Sequence, residues 1–119
     1  MGFVNVPVTV KPLVGQGGPF EATFLVDTGA LDSMAPASAL RNIGIEPEGV
    51  NTYELADGSL REYAFAFARL EVLGATVVSR ILFGPEEATP LLGVLALEAA
   101  GITIDPASHR LHKMPALRL

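Results

Sequence analysis

The chain has 119 residues, no cysteine, a net charge of −5 and a pI near 4.9, and half of its residues are hydrophobic. That is apolar material enough for one domain with a real core, expected to span residues 1–119. Disulfides and thiolate metal sites are excluded, the reducing cytoplasm is the expected compartment, and an acidic chain is a poor partner for nucleic acid, whose phosphates need a basic face.

Residues 3 to 10 alternate, with Val4, Val6, Val8 and Val10 on one face, and predict a strand in which Pro7 hints at an edge position. Lys11 to Pro19 carries three glycines and reads as a loop. Phe20 to Val26 is a second strand, so the pair forms a hairpin that delivers Asp27 at its end. Phe24-Leu25-Val26-Asp27-Thr28-Gly29-Ala30 is thus an apolar strand that stops in a tight turn. Glycine at the third place of Asp27-Thr28-Gly29 permits backbone angles closed to other residues and a close approach by a second backbone. An acid at the mouth of an apolar strand is a candidate catalytic group, because a half-buried carboxylate has a shiftable pKa.

Pro36 opens a short helix over Ala37 to Asn42, which Gly44 ends. Val50 to Leu55 is strand-like, and Ala56-Asp57-Gly58-Ser59 is a strong turn signal. Leu60 to Val72 follows as a long strand with Tyr63, Phe65 and Phe67 on one face and Ala64, Ala66 and Ala68 on the other. The small face suits either close packing or a ligand lying across the sheet. Val77 to Phe83 is another strand. The apolar region from Leu91 to Ile104 is broken by Glu98 and is too short to span a bilayer, and no signal peptide is visible, so no membrane partner is expected. Within it Val94 to Ala100 forms a second helix closed by Gly101, followed by short strands at Ile102 to Ile104 and Arg110 to Met114. His109 and His112 lack an acidic partner at a metal-site spacing, so no metal and no cofactor is implied. The count is mostly β with two short helices, the strands joined by hairpins into a small closed or folded structure.

An apolar strand ending in Asp27-Thr28-Gly29-Ala30, a Pro-led helix with an Ile43-Gly44-Ile45 end, a hairpin with Gly58 at its tip, and Leu91-Leu92-Gly93 before a helix together resemble the retropepsin-like aspartic proteases, in particular their single-lobe bacterial and archaeal members. Gly93 stands 66 positions after Asp27 (93 − 27), a separation that fits one lobe. The resemblance runs from Val4 to about Leu111. It implies a single-lobe, closed acid-protease β fold. It makes Asp27 the catalytic aspartate, Thr28 the hydroxyl that braces the paired loops, and Gly29 the backbone N–H directed at the carboxylates; Ala30 completes the loop. Ala56, Asp57, Gly58 and Ser59 become the tip of the flap over the substrate, and Asp32 either a substrate contact or a cap at the helix start. Leu31 stands where viral members often carry an acid, the flap tip holds one glycine, and Pro115 interrupts the C-terminal tail.

Hydrolysis by this route needs one ionised carboxylate to take a proton from water and one protonated carboxyl to give a proton to the carbonyl oxygen. Two carboxyls about 3 Å apart cannot both ionise, so they share a proton. The chain holds one Asp-Thr-Gly. The resemblance therefore implies a homodimer in which two copies of Asp27 meet on a twofold axis, acting as an aspartic endopeptidase on an extended peptide or protein substrate. The alternative is a catalytically silent retropepsin-fold dimer that binds peptides or serves assembly.

Overall fold

The computed structural model describes residues 4–15, 17–117 and 119. In chain order the elements are β1 (Asn5–Pro12), β2 (Phe20–Val26), β3 (Ser33–Pro36), α1 (Ala37–Asn42), β4 (Gly49–Glu54), β5 (Leu60–Val72), β6 (Ala75–Gly84), β7 (Leu91–Leu92), α2 (Val94–Ala100), β8 (Ile102–Asp105) and β9 (Arg110–Lys113). The chain is mostly β, as its alternating segments require. The first strand begins at Asn5 rather than at residue 3, which lies outside the described residues, and it runs two residues further, to Pro12. Two strands had no counterpart among the predicted elements: β3, in the stretch before α1, and β7, which is only two residues long.

The strands close into a six-stranded barrel in the order β1-β2-β7-β3-β6-β5, with β5 returning to β1. β4 lies outside this ring and, among the described residues, pairs with β5 alone. Hairpins account for β1–β2, β4–β5, β5–β6 and β8–β9, but hairpins are not the whole connectivity: β2–β7 and β3–β6 are parallel pairs. β5 changes partner along its length. Leu60–Phe65 pairs with β4, and Ala68–Glu71 pairs with β1 on the barrel. Between the two, the Phe67 N–H has neither neighbour and donates instead to the Glu48 carboxylate at 3.1 Å. One strand thus serves both the barrel and the projecting hairpin.

Alternation decides the core. Val6, Val8 and Val10 of β1 face Phe24 of β2 inside the barrel. On β5 the small face points inward: Ala66 and Ala68 are buried with Leu70 and Val72, whereas Phe67 is 39% exposed. Close packing therefore explains Ala66 and Ala68. The aromatic face of β5 lies outside, where Phe65 and Phe67 meet edge to face at 5.8 Å. Helix α2 adds Ala96, Leu97 and Ala100 to the core and leaves Glu98 in solvent. Helix α1 has no side-chain cap at Pro36. Glu86 supplies one from the loop after β6, accepting the Ser38 N–H at 3.0 Å and the Ser38 hydroxyl. These bonds, the hydroxyl first, hold the Glu86 carboxyl below its usual range. Among the described residues no helix is long and apolar enough to cross a membrane.

Candidate active site

The centre of the site is the loop after β2. The Leu25 N–H donates to the Pro90 carbonyl at 2.8 Å and the Asp27 N–H to the Leu92 carbonyl at 3.0 Å, so the parallel pairing with β7 extends to the acid itself. The Ala30 N–H closes a turn onto the Asp27 carbonyl at 3.2 Å. The Gly29 N–H donates to Asp27 Oδ1 at 2.9 Å and aims the carboxylate. Gly29 does not have a positive φ, so the backbone freedom expected of it is not what the site uses. Close approach is: a Cβ here would stand 3.3 Å from Asp27 Oδ1. Asp27 is half-buried, while Thr28 and Gly29 are exposed.

β7 crosses behind this loop and turns into α2 at Gly93. A helix start leaves backbone N–H groups without partners. Here the Asp27 loop provides them: Val94 N–H donates to the Ala30 carbonyl at 2.8 Å and Leu95 N–H to the Leu31 carbonyl at 3.2 Å. The Gly93 N–H donates to the buried Ser33 Oγ at 3.0 Å. The packing is so close that a Cβ on Gly93 would lie 2.5 Å from the carbonyl carbon and 2.6 Å from the oxygen of Asp32. Backbone cannot rotate away as a side chain can. Gly93→Ala is therefore expected to cost at least about 3 kcal/mol, the upper end of ordinary overpacking. For a chain of this size that lowers the thermal midpoint by roughly 10 °C or more, which scanning calorimetry checks.

A cleft of about 780 Å³ opens between this loop and the β4–β5 hairpin, with Asp27 and Asp32 on one side and Tyr53, Leu55 and Ala56 on the other. The hairpin tip is a tight turn. Gly58 N–H donates to the Leu55 carbonyl at 2.9 Å, and Leu55 N–H to the Ser59 carbonyl at 2.8 Å. Gly58 has φ +84, which a residue with a side chain adopts only under strain. Asp57 Oδ1 accepts the Ser59 hydroxyl at 2.6 Å and the Ser59 N–H at 2.9 Å, and these bonds hold the Asp57 carboxyl below its usual range. Of the four expected flap residues, Ala56 lines the cleft; Asp57, Gly58 and Ser59 form the turn beyond its wall.

Asp32 does not cap α1, whose N-cap is Pro36. It lines the cleft with its side chain only 1% exposed. Its Oδ2 accepts the Tyr53 hydroxyl at 2.6 Å and Arg80 Nε at 2.9 Å. The bond to Asp32 pushes the Arg80 pKa up, holding the guanidinium charged. Burial, and after it the hydrogen bond to Asp32, pushes the Tyr53 phenol up. The guanidinium also lies 5.9 Å from the centre of the Phe65 ring. Tyr53, Arg80 and Ser33 are site residues that the sequence did not announce. One signal was available for Tyr53: in β4 the polar Asn51 and Tyr53 share the sheltered face while Val50 is exposed, the reverse of a core strand.

No curated protein matches the chain in a sequence comparison. A family model described as aspartyl protease matches residues 6–95, from the first barrel strand through the Asp27 loop and the hairpin to the start of α2. With that match laid over a closed barrel whose second strand ends in Asp27-Thr28-Gly29 backed by Gly93, the chain belongs to the retropepsin-like aspartyl protease family.

Proposed function

We propose that the chain is an aspartic endopeptidase that works as a homodimer, with Asp27 from each copy forming one catalytic pair. The observation that carries this reading is the Asp27 carboxylate at the cleft, aimed by the Gly29 N–H and half-buried on a loop whose outer residues are exposed. One carboxylate is not enough for the reaction, and the chain has one Asp-Thr-Gly. The surface around that loop suits a second copy. Leu31 is 53% exposed and Leu95 40% exposed, and the two are neighbours through the Leu95 N–H to Leu31 carbonyl bond. Exposed leucines flanking a reactive acid are apolar area that a twofold partner covers.

In the pair, one Asp27 is ionised and takes a proton from the attacking water. The other is protonated and donates to the carbonyl oxygen, then supports departure of the amine. In this reading Thr28, exposed beside the acid, bonds across the dimer. The substrate lies extended in the cleft under the hairpin, held by its main chain, with alternate side chains entering pockets.

The test is cleavage of a mixed peptide library from acidic to neutral pH, read by mass spectrometry over a dilution series. Cutting is expected to fall more steeply than in proportion to protein concentration once the dimer dissociates. The rate is expected to be bell-shaped in pH, because the active pair carries one proton. A folded dimer that cuts nothing at any pH would favour the silent peptide-binding module instead.

A further inference from the structure

The Asp32 carboxylate joins three elements at one oxygen. Asp32 stands just before β3, Tyr53 near the outer end of β4, and Arg80 in the middle of β6. These elements are not equally held. β6 has a strand on each side, β3 and β5, and is part of the closed barrel. Among the described residues β4 is bonded along one edge only, to β5, and projects from the ring. A two-stranded ribbon of this kind is marginally stable by itself and takes its order from whatever it rests on. Tyr53 is one residue from the end of β4, so its hydroxyl reaches the barrel from the far half of the hairpin. Beside it, Tyr63 packs edge to face on the Tyr53 ring at 6.0 Å and Asn51 Nδ2 donates to the Tyr53 oxygen at 3.4 Å, so the phenol is oriented before it meets Asp32.

The pattern of bonds on Asp32 separates a fixed partner from a releasable one. Both donors use Oδ2, while Oδ1 is buried and, among the described residues, has no partner. Arg80 is charged and anchored in the barrel, so it keeps the buried carboxylate compensated whether or not Tyr53 is present. Tyr53 can therefore leave with β4 at the expense of one O–H to carboxylate bond, without stranding an unpaired buried charge.

We propose that Tyr53 and Asp32 form the latch that positions the hairpin over Asp27, with Arg80 holding the receiving carboxylate in place. This rests on the proposed peptidase reading, in which the hairpin covers the substrate. Tyr53 and Asp32 are positioning residues in that reaction: the latch sets how closely the hairpin meets the peptide.

The experiment is hydrogen exchange on the full chain for wild type, Tyr53→Phe, Asp32→Asn and the double variant, beside peptide kinetics. Tyr53→Phe keeps the ring and its contact with Tyr63, and removes only the hydroxyl. Amides of β4 and of the Leu60–Tyr63 half of β5 are expected to exchange about tenfold faster or more, the loss of one hydrogen bond to a charged acceptor. The Asp27 amide, bonded to Leu92 in the barrel, is expected to keep its protection. KM should rise several-fold with a much smaller change in kcat, a split that a merely structural role would not produce. Asp32→Asn, with a weaker neutral acceptor, should loosen the same amides, and the double variant should add little to either single one. Unchanged hairpin exchange in Tyr53→Phe would overturn the latch, as would equal acceleration over hairpin and barrel. Exchange needs no turnover. A chain that cuts no peptide yet shows the selective loosening keeps the latch and loses the peptidase, and the reverse result does the opposite.

Discussion

Asp27→Asn is expected to end the proposed peptide cleavage while leaving the barrel and the proposed dimer intact. The two halves of that expectation come from different atoms. The loop is held by backbone bonds, Asp27 N–H to Leu92 and Ala30 N–H to Asp27, which the substitution does not touch. The side-chain bond survives as well, because an asparagine Oδ1 accepts the Gly29 N–H as the carboxylate does. Chemistry is what disappears: an amide neither takes a proton from water nor donates an acid proton at the carbonyl. Loss of general acid–base catalysis alone lowers the rate by roughly 100- to 10,000-fold, and here both roles are lost together. Thermal melting and light scattering of the variant should match wild type while library cleavage vanishes. A dimer carrying the substitution in one protomer only sharpens the test. The shared-proton mechanism predicts that it too is nearly inactive, since one carboxyl cannot be base and acid in the same step. Half of wild-type activity from that mixed dimer would show that each Asp27 works alone.

What could be read from the sequence followed from periodicity and length. β1 and β2 alternate over seven residues or more, enough to fix both strand and buried face, and β5 alternates over thirteen, enough to fix the strand. The resemblance to a known family then ordered these pieces around Asp27. β3 and β7, which complete the barrel behind that loop, were illegible as strands. Four residues and two residues cannot display a period, and both are strands because of their neighbours: β7 sits between β2 and β3, bonded to each. The inward face of β5 was ambiguous for a different reason. Its alanines and aromatics are both apolar, and only closure of the ring shows that the small side chains are the ones with no room. The Asp32 cluster lay furthest from view. Asp32, Tyr53 and Arg80 come from three segments joined by no local motif, and only the turn of β4 over the cleft brings them to one oxygen. Gly93 is the converse case, a residue visible as part of a motif whose physical reason, contact with the Asp32 backbone, needed the fold.

The proposed catalytic pair would also tie activity to association, and this gives the second large effect. Leu31→Glu with Leu95→Glu is expected to yield a folded monomer without peptidase activity. Both side chains are already substantially exposed, so the folded protomer loses little; surface changes of this kind usually shift stability by no more than about 0.5 kcal/mol. In the proposed dimer the same positions flank the twofold axis, where each glutamate would face its symmetry copy. Like charges then repel across a contact that has lost its apolar area, and Coulomb repulsion between two carboxylates near 4 Å is about 4 kcal/mol at an effective dielectric of 20. That is close to a thousandfold in dimer affinity. Sedimentation should show a monomer at micromolar concentration, and cleavage should fall with it and return in part when the protein is concentrated or salt is added. Val78→Glu is the matched control, since Val78 is also 53% exposed but lies on the outer face of β6, where it pairs with Arg69 rather than flanking Asp27. If Val78→Glu dissociates the protein and the leucine pair does not, the dimer forms through the barrel wall and the two Asp27 carboxylates do not meet. If the leucine variant remains monomeric and still cuts peptides, one Asp27 suffices and the two-carboxylate mechanism is wrong for this chain.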